Sequence, residues 1–137
     1  LRRLERGTDE ARPVALSLFD YTTLGLEPWR QRGYECHAYD IKHPAGDTVT
    51  ANGLHLHGVD LRSDEALASI VEAHKGRVAF AMGYPPCTDL SRAGARYWKQ
   101  KAQINPTFQE EASKWIKRVE MLMVILVGKN KFHLIEL

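Results

Sequence analysis

Cysteine is scarce in this chain. Cys36 and Cys87 are the only two, far apart and without paired spacing. Neither a disulfide framework nor a zinc site is implied, and the usage fits a reducing cytoplasm. Long apolar runs are also lacking. The longest, residues 121–127, is far too short to span a membrane. The charged start is not followed by a long apolar stretch, so no signal peptide is expected. Nor is there an excess of one charge. Nineteen Lys and Arg against seventeen Asp and Glu leave a net charge of +2, so bulk charge does not announce a nucleic-acid partner. The six histidines are scattered. His55 and His57 alternate along a probable strand and so share a face, but no third ligand is evident nearby, and no metal site is expected.

What is present describes one ordinary globular domain. The chain has 137 residues, 44% hydrophobic and 26% charged, long enough to bury a core. Residues 1–12 are charged, lack a core pattern and read as an N-terminal arm; residues 13–137 read as the domain. Residues 14–19 form a strand apolar on both faces, as in the centre of a parallel sheet. A turn over 20–25 leads to a helix from about 26 to 32, and Gly33 ends it. Residues 34–39 alternate as a second strand closing on Asp40. This is a βαβ unit with a carboxylate about twenty residues after its first turn, where ribose hydroxyls find an acceptor.

Residues 42–52 read as a polar loop and 53–59 as a third strand ending at Asp60. A helix spans about 64 to 74, with Ser63 or Asp64 as its cap. Residues 78–82 are a fourth, buried strand. From Phe108, apolar residues recur at three- and four-residue steps through Ala112, Trp115, Ile116, Val119, Leu122 and Met123, which is a core stripe. Residues 131–136 make a fifth strand. The pattern predicts a three-layer α/β domain with a mostly parallel sheet in the order 3-2-1-4-5 and right-handed crossovers.

The fourth strand runs into Gly83-Tyr84-Pro85-Pro86-Cys87-Thr88-Asp89-Leu90-Ser91-Arg92-Ala93-Gly94. A glycine and two prolines stop sheet pairing and hold the next residues rigid, with a thiol at the tip. In α/β sheets ligands bind beyond the carboxyl ends of strands, which is where Cys87 falls. Arg92, Arg96, Lys99 and Lys101 follow, interleaved with Tyr97 and Trp98. Basic residues with aromatics suit a phosphate backbone and an unstacked base; a solvated surface loop is the plainer reading of the same residues.

Pro86-Cys87, Leu90-Ser91 and Ala93-Gly94 resemble the catalytic loop of the cytosine-5 DNA methyltransferases, which reads Pro-Cys-Gln-x-Phe-Ser and often x-Ala-Gly. Thr88 replaces the glutamine and Leu90 the phenylalanine, a variant most similar to methyltransferase-related proteins of bacteriophages. The resemblance implies a Rossmann-like methyltransferase fold using S-adenosylmethionine, with Cys87 as the nucleophile on C6 of cytosine. It implies that Phe19 packs at the cofactor and that Asp20, Gly25 and the turn between them approach its methionine end. Thr22 and Thr23 stand where that family uses glycine. Asp40 would bind the ribose with Ile41 beside the adenine, Asp60 the adenine amino group with Leu61 beside it, and Pro85 would line the same pocket. Glu136 occupies the place of a glutamate that contacts the base, although Leu137 replaces the asparagine after it. Ser91, Arg92, Arg96 and Lys99 would face DNA.

The resemblance covers residues 14 to 136 but only the front half of that catalytic domain. The expectation is therefore a fold truncated after its fifth strand, either a fragment or a reduced relative. Two readings follow: a cysteine-dependent DNA methyltransferase, or a non-catalytic module of the same fold that binds cofactor or nucleic acid or only self-associates through an exposed fifth-strand edge. A nicotinamide-binding dehydrogenase shares the βαβ logic but leaves the Pro-Pro-Cys loop unexplained.

Overall fold

The computed structural model describes residues 12–85, 92–128 and 132–134. Its centre is β1 (Val14–Leu18), in which every residue is buried. Small and apolar side chains alternate to both faces, so the strand is covered from both sides. β1 pairs in parallel with β2 (Glu35–Tyr39) on one flank and with β5 (Val78–Gly83) on the other. β2 pairs in parallel with β4 (His55–Gly58), and β5 with β6 (Phe132–Leu134). The protein is thus an α/β fold with a mostly parallel sheet.

The expected five-stranded sheet of order 3-2-1-4-5 is corrected by one additional strand at its edge. The described sheet has six strands in the order β3-β4-β2-β1-β5-β6. The additional strand, β3 (Gly46–Val49), lies in the segment expected to be loop and pairs antiparallel with β4. All four of its residues are exposed, so no apolar alternation marks it. Its backbone pairing with β4 defines it.

Helices cover both faces. On one face α2 (Asp64–His74) and α4 (Phe108–Val127) bury Leu67, Ile70, Trp115, Val119 and Leu122 against Val14, Leu16 and Leu18. On the other, a 3-10 turn (Leu24–Leu26) and α1 (Glu27–Gln31) bring Leu26 and Trp29 onto Ala15, Cys36 and Ala38. Ser63 starts α2 by accepting a hydrogen bond from the Ala66 N–H, a cap typically worth about 1 kcal/mol. Residues after the cysteine loop, expected to be a basic loop, form a 3-10 helix (Arg92–Tyr97) and α3 (Trp98–Ile104).

Candidate functional site

Five strands end together. Leu18 is level with Tyr39 and with Gly83, Tyr39 with His57, and Gly83 with Leu134. The carboxyl ends of β1, β2, β4, β5 and β6 therefore lie along one edge, the side on which open α/β sheets bind ligands. Cys87, Ser91 and Glu136 lie outside the described residues. So does Pro86, while Pro85 is buried at the exit of β5.

The turn after β1 is the most constrained piece of this edge. Phe19 has φ +57° and Thr23 φ +63°, the only non-glycine residues with positive φ among those described. For a β-branched residue this conformation costs on the order of 1–2 kcal/mol. Asp20 holds it. Its carboxylate, 4% exposed, accepts from Ser17 Oγ at 2.7 Å, the Thr23 N–H at 2.9 Å and Thr22 Oγ1 at 3.2 Å. Asp20 thus shapes the turn with its whole carboxylate. The threonines occupy the turn because an aspartate organises it, which removes the need for glycine at position 23. Gly25 serves a different purpose. A Cβ there would stand 2.8 Å from Met82 Sδ and 2.9 Å from Tyr84 Oη, so this glycine lets the turn close onto the end of β5.

Phe19 is half-buried, edge-on to the Trp115 ring at 5.1 Å between centroids. Asp40, half-buried at the end of β2, accepts the Lys42 N–H at 2.7 Å. Ile41 beside it is 63% exposed. Asp60 binds Arg62 through both the backbone N–H and the guanidinium, and the guanidinium contact first of all holds its carboxyl below the usual range. Leu61, expected beside the adenine, is packed in the core, and its carbonyl accepts the Trp115 indole N–H at 3.1 Å. Arg96 and Lys99 are exposed, the Arg96 guanidinium lying over the Tyr97 ring at 4.8 Å. Arg92 begins the 3-10 helix.

His43 was not among the expected site residues, yet it joins the two loops. Its buried Nε2–H donates to the Asp20 carbonyl at 2.9 Å, and Tyr21 stacks on its ring. Gly58 supports this loop from β4: a Cβ would lie 2.2 Å from the Pro44 carbonyl oxygen. Tyr21, Thr22, Thr23, His43, Pro44 and Leu54 line an open cleft of about 390 Å³ between the β1 turn and the β3–β4 hairpin.

A second polar cluster lies in the sheet itself. Glu35, His37 and Tyr39 alternate on β2, and His55 and His57 on β4, with His37 level with His55 and Tyr39 with His57. His37 Nε2 lies 2.8 Å from Glu35 Oε2, and His37 Nδ1 lies 2.8 Å from His57 Nε2. His57 Nδ1 lies 2.6 Å from Asp47 on β3. The rings of His37 and His55 stack at 4.3 Å. From α2, His74 Nε2 meets the Tyr39 hydroxyl at 2.5 Å. The absence of a third ligand near His55 and His57 is therefore corrected: β2 supplies Glu35 and His37.

Burial drives His37 and His74 down to about 4, so both are neutral near pH 7. In the unfolded chain these rings take up protons near the ordinary value of 6.5. Between those values the unfolded state binds more protons, so stability falls as the pH is lowered from 6.5 to about 4 and is level above it. The expected loss is on the order of 2 kcal/mol per ring after solvent screening. Urea midpoints across that range, in chelator-containing buffer, measure it, and a flat profile would contradict it.

Cys36 is buried, and desolvation pushes its thiol up to about 11, so it is inert. No helix among the described residues is long and apolar enough to cross a membrane. No protein-family model, curated protein or solved structure matches this chain.

Proposed function

We propose that this chain is an S-adenosylmethionine-dependent cytosine-5 DNA methyltransferase domain of Rossmann-like fold, with Cys87 as the nucleophile. The observation that carries the reading is the strained β1 turn, held by Asp20, opening at the same sheet edge from which β5 runs toward Pro-Pro-Cys. Strained backbone is retained where the surroundings over-determine it, and it concentrates at functional sites. The cleft beside that turn falls within the roughly 300–1,000 Å³ of ordinary ligand pockets.

Three residues on this edge suit the cofactor. Asp40 offers a carboxylate at the end of β2, the exposed Ile41 offers an apolar surface beside it, and Tyr21 is exposed at the mouth of the cleft. S-adenosylmethionine, when bound, supplies the methyl group from a sulfonium centre. Cys87 adds through its thiolate to C6 of cytosine and drives the electron pair onto C5, which takes the methyl. Loss of the C5 proton to a base then expels the thiolate and restores the ring. Glu136 steadies the base at N3. The target base leaves the stack to reach the thiol, while Ser91, Arg92, Arg96 and Lys99 hold the backbone.

A non-catalytic module of the same fold is the second reading. It is favoured by Asp60, paired to Arg62, and by Leu61, buried in the core, since neither is free for an adenine. In that reading the chain pairs with a second copy through the β6 edge.

Calorimetric titration of S-adenosylmethionine separates the two. The methyltransferase reading expects one site with micromolar affinity, weakened at least about ten-fold in Asp40→Ala, the worth of one hydrogen bond to a charged group. Absence of binding by the folded wild-type chain would sink it.

A further inference from the structure

The proposed chemistry leaves the histidine row on β2 and β4 unused, and its proton count is incomplete. Glu35, His37, His57 and Asp47 form a chain of three links, each shorter than 3 Å: carboxylate to ring, ring to ring, ring to carboxylate. Each link sets two lone pairs against each other unless a proton or a cation lies between them. Two neutral imidazoles supply two protons for three links. The third link needs one positive charge more.

A metal cation resolves the count. With the metal on His37 Nε2, Nδ1–H donates to His57 Nε2, and His57 Nδ1–H donates to Asp47. Every link is then satisfied. A ring nitrogen of His55 completes the set, since one ligand atom each from Glu35, His37 and His55 lie within 4.8 Å of one another.

We propose that Glu35, His37 and His55 bind one divalent transition-metal ion, Zn²⁺ foremost, with His57 and Asp47 orienting His37 from behind. Two imidazoles and a carboxylate are a donor set for zinc and its neighbours, not for calcium or magnesium. The His37 and Glu35 ligand atoms part slightly, from 2.8 Å to roughly 3.3 Å, the edge of a tetrahedron with bonds of 2.0–2.1 Å, and the His55 nitrogen, within 4.8 Å of both, settles to the same edge. Glu35 and His55 are half-buried, which leaves a coordination position toward solvent. Arg77 donates to the same Glu35 oxygen at 3.1 Å and competes for it. The ion would clamp β4, and with it the β3 hairpin that forms one wall of the cleft, to β2.

The test is titration of the tag-free, chelator-stripped chain with Co²⁺, followed by Zn²⁺. One Co²⁺ per chain is expected, with visible absorption bands that Zn²⁺ abolishes and a thermal midpoint that rises with either ion. His55→Gln, a half-buried change, should weaken binding at least 100-fold. His57→Gln should weaken it by about 10–100-fold through loss of the orienting hydrogen bond. His37→Gln serves as a further ligand variant if circular dichroism shows that it is folded; otherwise His55→Gln decides alone. No uptake by the wild-type chain, or uptake unchanged in His55→Gln, overturns the proposal.

Discussion

Replacing Cys87 by serine is expected to lower methyl transfer to DNA by roughly a thousand-fold or more, the scale on which loss of a covalent nucleophile is felt. A thiolate is strongly nucleophilic even at a few per cent ionisation, whereas a serine hydroxyl without an adjacent base is not. S-adenosylmethionine affinity should be unchanged, because the expected cofactor contacts, on the β1, β2 and β4 exits and at Pro85, do not include the Cys87 thiol. The chain also provides an internal control. Cys36 is buried with its thiol raised to about 11, so alkylation near neutral pH should label Cys87 alone. Equal activity of the serine variant would remove the covalent mechanism, and labelling of Cys36 in the folded chain would contradict its buried environment.

Trp115→Ala is expected to cost about 3–5 kcal/mol, the range for emptying a large core site. The indole is 7% exposed in the cluster that joins α4 to β1, edge-on to Phe19. Its N–H donates to the Leu61 carbonyl, so truncation also leaves an acceptor without its partner. A domain with 5–15 kcal/mol in total would lose a large fraction of its stability. Trp115→Phe retains a ring against Phe19 and should lose only about 1–2 kcal/mol. Denaturant midpoints at constant slope measure both. Near-equal losses for the two variants would mean that the indole N–H, not the ring, carries the contribution.

Much of the scaffold could be read from local pattern. Val14 to Leu18 are apolar or small without interruption, and they form the fully buried central strand. Ser63 followed by two acids and a helical apolar period placed α2 at Asp64–His74. The carboxyl edge was legible for the same reason: each parallel strand ended at a polar or glycine signal. β3 was not, because Gly46–Val49 carries no buried face and its partner is fixed by backbone pairing alone. That edge strand is where the expected five-stranded sheet departs from the observed one.

The site was legible by position more than by role. Asp20 lies in the turn after β1 and Asp40 at the end of β2, but whether a carboxylate faces a ligand or its own turn depends on backbone geometry that residue type does not encode. Leu61 follows Asp60 directly and yet turns into the core. The histidine cluster was half visible, as His55 and His57 two apart. Its other half, Glu35 and His37, shows the same spacing on β2, and only the parallel register of β2 with β4 brings the pairs together.

The most direct test of the central claim uses duplex DNA of mixed sequence in which cytosine is replaced by 5-fluorocytosine. A fluorine at C5 cannot leave as a proton does, so the thiolate added at C6 cannot be expelled after methylation. The expected product is a protein–DNA adduct that survives denaturation, requires S-adenosylmethionine, maps to Cys87 and is absent in Cys87→Ser. A folded chain that binds S-adenosylmethionine and this DNA yet forms no adduct would contradict it.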